Sequence, residues 1–133
     1  MGWSPVTGKT TFHFQLTFAS FNTKHVRSFL RHLRRELLGP IIIVWDNLNA
    51  HKSAATYFRK HHPDWFEFEF LPGYSPELNP VDTCWAHTKS HEMPNHTPAT
   101  AEELRRTVHR HLGRKRRRPD LLTSFIAHSG LAL

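Results

Sequence analysis

The chain has 133 residues, 38% of them hydrophobic and including ten Phe and four Trp, enough for one modest core and too little for a second domain of ordinary size. Eighteen Lys and Arg against eleven Asp and Glu give a net charge of +7 and a pI near 10.2, a balance that favours polyanionic partners, of which nucleic acid is the commonest. The longest apolar run, Ile41 to Trp45, is far short of a bilayer span, no basic-then-apolar leader opens the chain, and the lone Cys84 cannot form an internal disulfide, so a soluble, cytoplasmic protein without a membrane partner is expected.

From Thr11 to Phe18 the residues alternate, with Phe12, Phe14, Leu16 and Phe18 on one face and Thr11, His13, Gln15 and Thr17 on the other, which predicts a half-buried strand antiparallel to a neighbour. Pro5 to Lys9, with Gly8, reads as a turn, and Met1 to Ser4 as the stub of a hairpin partner. From Thr23 onward Val26, Phe29, Leu30, Leu33 and Leu37 recur at helical spacing until Gly39-Pro40, while Arg27, Arg31, Arg34 and Arg35 supply a basic outer face. The β-branched run Ile41 to Trp45 predicts a strand buried on both faces at the centre of an α/β sheet. Asp46 and Asn47 then fall at its carboxyl end, where open α/β sheets build their sites.

A short helix is expected over Lys52 to His61, and Phe66, Phe68 and Phe70 alternate with Glu67 and Glu69 in a second strand within Trp65 to Leu71. A turn-rich loop, Pro72 to Pro80, leads into a helix with Asn79 as N-cap and Pro80 as first helical residue. Thr100 and Glu103 form a capping-box signature for the next helix, through Leu104, Val108 and Leu112. Residues 105 to 118 hold eight of the eighteen Lys and Arg, and a last helix is expected from Pro119 to about His128.

The segment Leu71-Pro72-Gly73-Tyr74-Ser75-Pro76-Glu77-Leu78-Asn79-Pro80-Val81-Asp82-Thr83-Cys84-Trp85 resembles the LPxYSPxLNPxE/DxxW signature of mariner-like and related insertion-sequence transposases. Val44-Trp45-Asp46-Asn47, with His51 downstream, resembles the second acidic motif of the same family, and the 35 residues between Asp46 and Asp82 fit its spacing. The resemblance covers nearly the whole chain. It implies an α/β, RNase H-like fold, a mixed sheet with flanking helices, here truncated so that residues 1 to 133 form a partial catalytic domain. It also implies DNA transposition: Asp46 and Asp82 as catalytic carboxylates holding Mg²⁺ or Mn²⁺, nicking at element ends, and attack of a 3′-hydroxyl on target DNA. Partners implied are DNA at element ends and target, and a second copy or an intact transposase.

Carboxylates suit this chemistry because such cations take oxygen ligands, and a metal pair can stabilise both the attacking and the leaving oxygen of a phosphodiester displacement. Each acid has a plainer reading: Asp82 at the third position of a helix favours the helix dipole, and Asp46 can open a turn with Asn47. Around them, Asn47, His51, Tyr74 and Asn79 are read as supporting the site, His51 by orienting Asp46 or meeting phosphate. Lys89, seven residues after Asp82 and nearly eclipsing it on a helix, is read as a phosphate contact, together with Arg114, Lys115, Arg116, Arg117 and Arg118. Cys84, His87 and His91 can share one helix face, but without a second cluster, and with His96 on a loop, a zinc module is the weakest of three readings.

The sequence departs from the family pattern in three places. No Asp or Glu precedes Glu36, so the strand-borne first Asp is lacking; Gly73 stands where proline is common; and the last acid is Asp82 where Glu is commoner in this branch. The expectation is an incomplete chain inactive by itself, the alternative being a nonenzymatic DNA-binding or dimerising partner of an intact transposase.

Overall fold

The computed structural model describes residues 1–4, 7–17, 21–37, 39–93, 95 and 97–130. The chain divides into two compact units, one of Ala19–Ser75 and one of Met1–Phe18 with Pro76–Leu133. No helix among the described residues is long and apolar enough to cross a membrane. Among the described residues, five α-helices and two small sheets give the mixed α/β architecture expected of part of an RNase H-like domain.

In the unit Ala19–Ser75, helix α1 (Thr23–Glu36) begins at a reciprocal cap. The Asn22 side chain accepts from the amides of Lys24 and His25, and the His25 ring accepts from the Asn22 amide. Strand β3 (Ile41–Trp45) is followed by helix α2 (Asn49–His61) and by strand β4 (Phe66–Phe70), which pairs parallel to β3 with Ile41 opposite Phe66 and Trp45 opposite Phe70. This β-α-β crossover is legible in the pattern, although α2 starts three residues before the expected Lys52, which brings His51 into its first turn. Val26, Leu30, Ala54, Ala55 and Phe58 of the helices pack on Trp45, Phe66 and Phe68, and full burial of Phe58 contributes roughly 2–3 kcal/mol.

Two expectations for this unit need correcting. Strand β3 is not buried on both faces: Ile41, Ile43 and Trp45 turn toward the helices, whereas Ile42 is 63% and Val44 48% exposed, alongside exposed Glu67 and Glu69 of β4. Among the described residues, helices cover one face of this two-stranded sheet and not the other, so the β-branched run reads as fully buried when it alternates. Nor do the α1 arginines all face outward. Arg31 donates to the Tyr57 hydroxyl at 2.8 Å, and Arg27 lies 4.6 Å from the centre of the Tyr57 ring, because a guanidinium stacks readily on an aromatic face.

In the other unit, β1 (Gly2–Trp3) and β2 (Thr10–Thr11) form the expected antiparallel hairpin, closed by Ser4 donating to the Lys9 carbonyl, with Gly8 at φ 66° where a side chain would strain. Pro5, Val6 and Phe18 lie outside the described residues. The strand expected over Thr11 to Phe18 stops at Thr11, since residues 12–17 meet no partner strand among the described residues. Its alternation nevertheless holds: Phe12 is buried, and Phe14 and Leu16 pack against Cys84, Leu112, Leu122 and Phe125. Those residues belong to helices α3 (Pro80–His87), α4 (Ala101–Arg116) and α5 (Pro119–His128). Thr100 caps α4 by accepting from the Glu103 amide, as its sequence signature predicts.

Candidate functional site

Asp46 follows the last residue of β3 and is exposed. Its Oδ1 accepts from the Leu48 amide at 3.2 Å and from His51 Nδ1 at 2.7 Å, which assigns the ring proton to Nδ1 and leaves Oδ2 uncommitted among the described residues. One oxygen thus shapes the chain while the other faces solvent. His51 is itself fixed: its ring lies flat on the Trp45 indole, centroids 4.5 Å apart and planes at 4°. Trp45 stacks in turn on Phe68, 5.2 Å away. Burial in the sheet pattern alone does not single out Trp45 as the support of His51, although its place directly before Asp46 is a signal for it.

Asn47 points the other way, its Nδ2 donating to the Leu71 carbonyl at 2.7 Å, while the Leu71 amide donates to the Trp45 carbonyl at 2.7 Å. The start of the signature loop is thus tied to the carboxyl end of β3. Tyr74, three residues on, is fully solvent-exposed at φ 55°.

Asp82 belongs to the other unit. It is the third residue of α3, exposed, with no hydrogen bond or ion pair to its carboxylate among the described residues. Asn79 caps the helix, its side chain accepting from the Val81 amide at 3.1 Å. After His87 the winding loosens into a π-turn over Thr88–Glu92, so Lys89 does not continue the uniform helix that would eclipse it with Asp82; its Nζ sits 6.0 Å from the Trp85 ring.

The basic run divides by exposure. Arg114, Arg116 and Arg117 are exposed, as is Arg118, which also reaches Asp120 at 3.2 Å. Lys115, expected on that surface, is 2% exposed and paired with Glu92, because it lies on the inward side of α4. His87 Nδ1 lies 3.1 Å and His111 Nδ1 2.9 Å from the same Glu92 carboxylate. Burial first, then the positive charges of Lys115, His91 and Arg118, hold the His87 ring below its ordinary pKa. Cys84 is buried, and burial pushes its thiol up. His87 and His91 stack at 4.8 Å, and no three His, Cys, Asp or Glu among the described residues gather to hold a metal; His96 falls outside them.

A family model for the DDE superfamily endonucleases matches residues 4–105. The chain belongs to that family, whose nucleases use divalent metal ions and act on DNA. No curated protein and no solved structure matches it.

Proposed function

We propose that this chain supplies two carboxylates, Asp46 and Asp82, of a mariner-like DNA strand-transfer site, and that they share Mg²⁺ or Mn²⁺. The observation that supports this most is Asp46 itself, an exposed carboxylate at the end of a parallel strand, held through one oxygen by Leu48 and His51. An anchored acid with a free oxygen fits a hard cation, which binds few protein oxygens and keeps several waters. When bound, a metal pair supplies stabilisation of the attacking and leaving oxygens. The residues of the chain do the rest: His51 holds Asp46 in one rotamer, Trp45 holds His51, and Asn79 fixes the turn of α3 that carries Asp82.

Mn²⁺ titration followed by water-proton relaxation tests the shared site. Asp46→Asn keeps an acceptor for Leu48 while removing the charge, and each of Asp46→Asn and Asp82→Asn should weaken Mn²⁺ binding by about tenfold, or about 1.4 kcal/mol. Loss in only one of them would separate the acids; loss in neither would end the proposal.

DNA binding is proposed to be sequence-indifferent and led by Arg114, Arg116 and Arg117, with Arg118, Lys89 and the exposed Arg35 of α1 contributing. Alanine at Arg114, Arg116 and Arg117 should flatten the slope of log affinity against log salt by about 0.9 for each phosphate contact removed. An unchanged slope would make the run a solvated helix end. By itself the chain is proposed to be inactive in strand cleavage. The exposed Ile42 and Val44 favour a second reading, in which this face pairs with an intact transposase or a second copy.

A further inference from the structure

Tyr74 combines two features that are each uncommon. Its backbone lies in the left-handed region, at φ 55°, which a bulky side chain enters only at a cost. Its side chain is also entirely exposed, so no packing offsets that cost. An aromatic ring held out by a strained turn, without a partner, is poised for a planar ligand.

Its surroundings say which one. Leu71 is bonded to both Trp45 and Asn47, and three chain steps of about 3.8 Å place the Tyr74 backbone within about 11 Å of Leu71. Leu48, which donates to Asp46, is a second exposed apolar residue at the same strand end, 53% accessible. A carboxylate suited to a cation that could in turn hold a phosphate, beside an exposed ring and an exposed aliphatic side chain, matches one nucleotide split into its charged and its flat parts.

We infer that Tyr74 is a stacking platform for an unpaired nucleobase whose neighbouring phosphodiester lies at Asp46. This rests on the proposed function. Stacking on an aromatic side chain tolerates any base, in keeping with sequence-indifferent phosphate contacts.

The probes are a blunt duplex and the same duplex with a short 3′ overhang containing 2-aminopurine, titrated with the full chain. The wild type and Tyr74→Phe should prefer the overhang by about tenfold and quench its emission. Tyr74→Ala and Tyr74→Asn should lose both the preference and the quenching, with blunt-duplex affinity unchanged. Asn tolerates the left-handed backbone, so Tyr74→Asn should melt no lower than wild type, which separates loss of stacking from loss of fold. An overhang preference that survives Tyr74→Ala overturns the inference, as does a wild type that binds both probes equally; in either case the proposed function stands. A wild type that binds neither probe overturns both.

Discussion

Asp46→Asn should abolish metal-dependent nicking in a protein where the family's strand-borne first Asp has been joined ahead of this chain. The substitution keeps the size of the side chain and the acceptor for Leu48, and removes the charge that a cation requires. If the two carboxylates position the metals, the loss should be on the order of 10³-fold in rate, about 4 kcal/mol of barrier. The joined protein should nick supercoiled DNA with Mg²⁺ or Mn²⁺, while the chain alone stays at background. His51→Ala in the joined protein should lose less, since it frees the Asp46 rotamer without removing the charge. Nicking by the unjoined chain that disappears with Asp46→Asn would show that two acids suffice and that the chain is not inactive alone.

Glu92→Gln should destabilise the unit containing α3, α4 and α5 by about 3 kcal/mol in denaturant unfolding, the largest stability effect expected of any charged residue. Lys115 is 2% exposed and has Glu92 as its counter-charge, so removing the carboxylate strands a buried ammonium, a loss commonly costing about 3–5 kcal/mol. Partial exposure of Glu92 places the expectation at the lower end. Adding Lys115→Met should restore most of the loss, because a matched apolar side chain needs no counter-ion. If the double variant is as unstable as Glu92→Gln, the ion pair is not what Glu92 provides. His87 adds a pH dependence of definite sign. Its pKa is lowered in the folded chain from 6.5, so the unfolded chain binds the proton more readily, and stability should fall as pH drops below about 6.5.

Where local chemistry is decisive, the sequence can be read directly. Asn79-Pro80 can hardly do other than start a helix, Thr100 with Glu103 caps another, and the alternation of Phe66, Phe68 and Phe70 marks the strand beside β3. Asp46 and His51 stand out through their motif, and the structure places them in contact at 2.7 Å. What stayed hidden depends on which neighbours an element finds. Ile42 and Val44 look like core in isolation and become surface because only one face of the sheet is covered. Lys115 looks like surface within a run of cations and turns inward because Glu92 waits there. The lone acid between Asp82 and Glu102 was the available signal.

The bond between Asn47 and the Leu71 carbonyl also restricts how this chain can vary. A carbonyl accepts only, so the side chain at position 47 must donate, and an aspartate there would set oxygen against oxygen at 2.7 Å. At position 46 the demand is reversed: the Leu48 amide and the His51 Nδ1 proton both need an acceptor, which Oδ1 of an Asn there would still supply while the charge is lost. The dipeptide therefore reads in one direction only. Two side chains of nearly equal volume cannot exchange places, and mutational drift that preserves size and polarity alone would still dismantle the end of the strand.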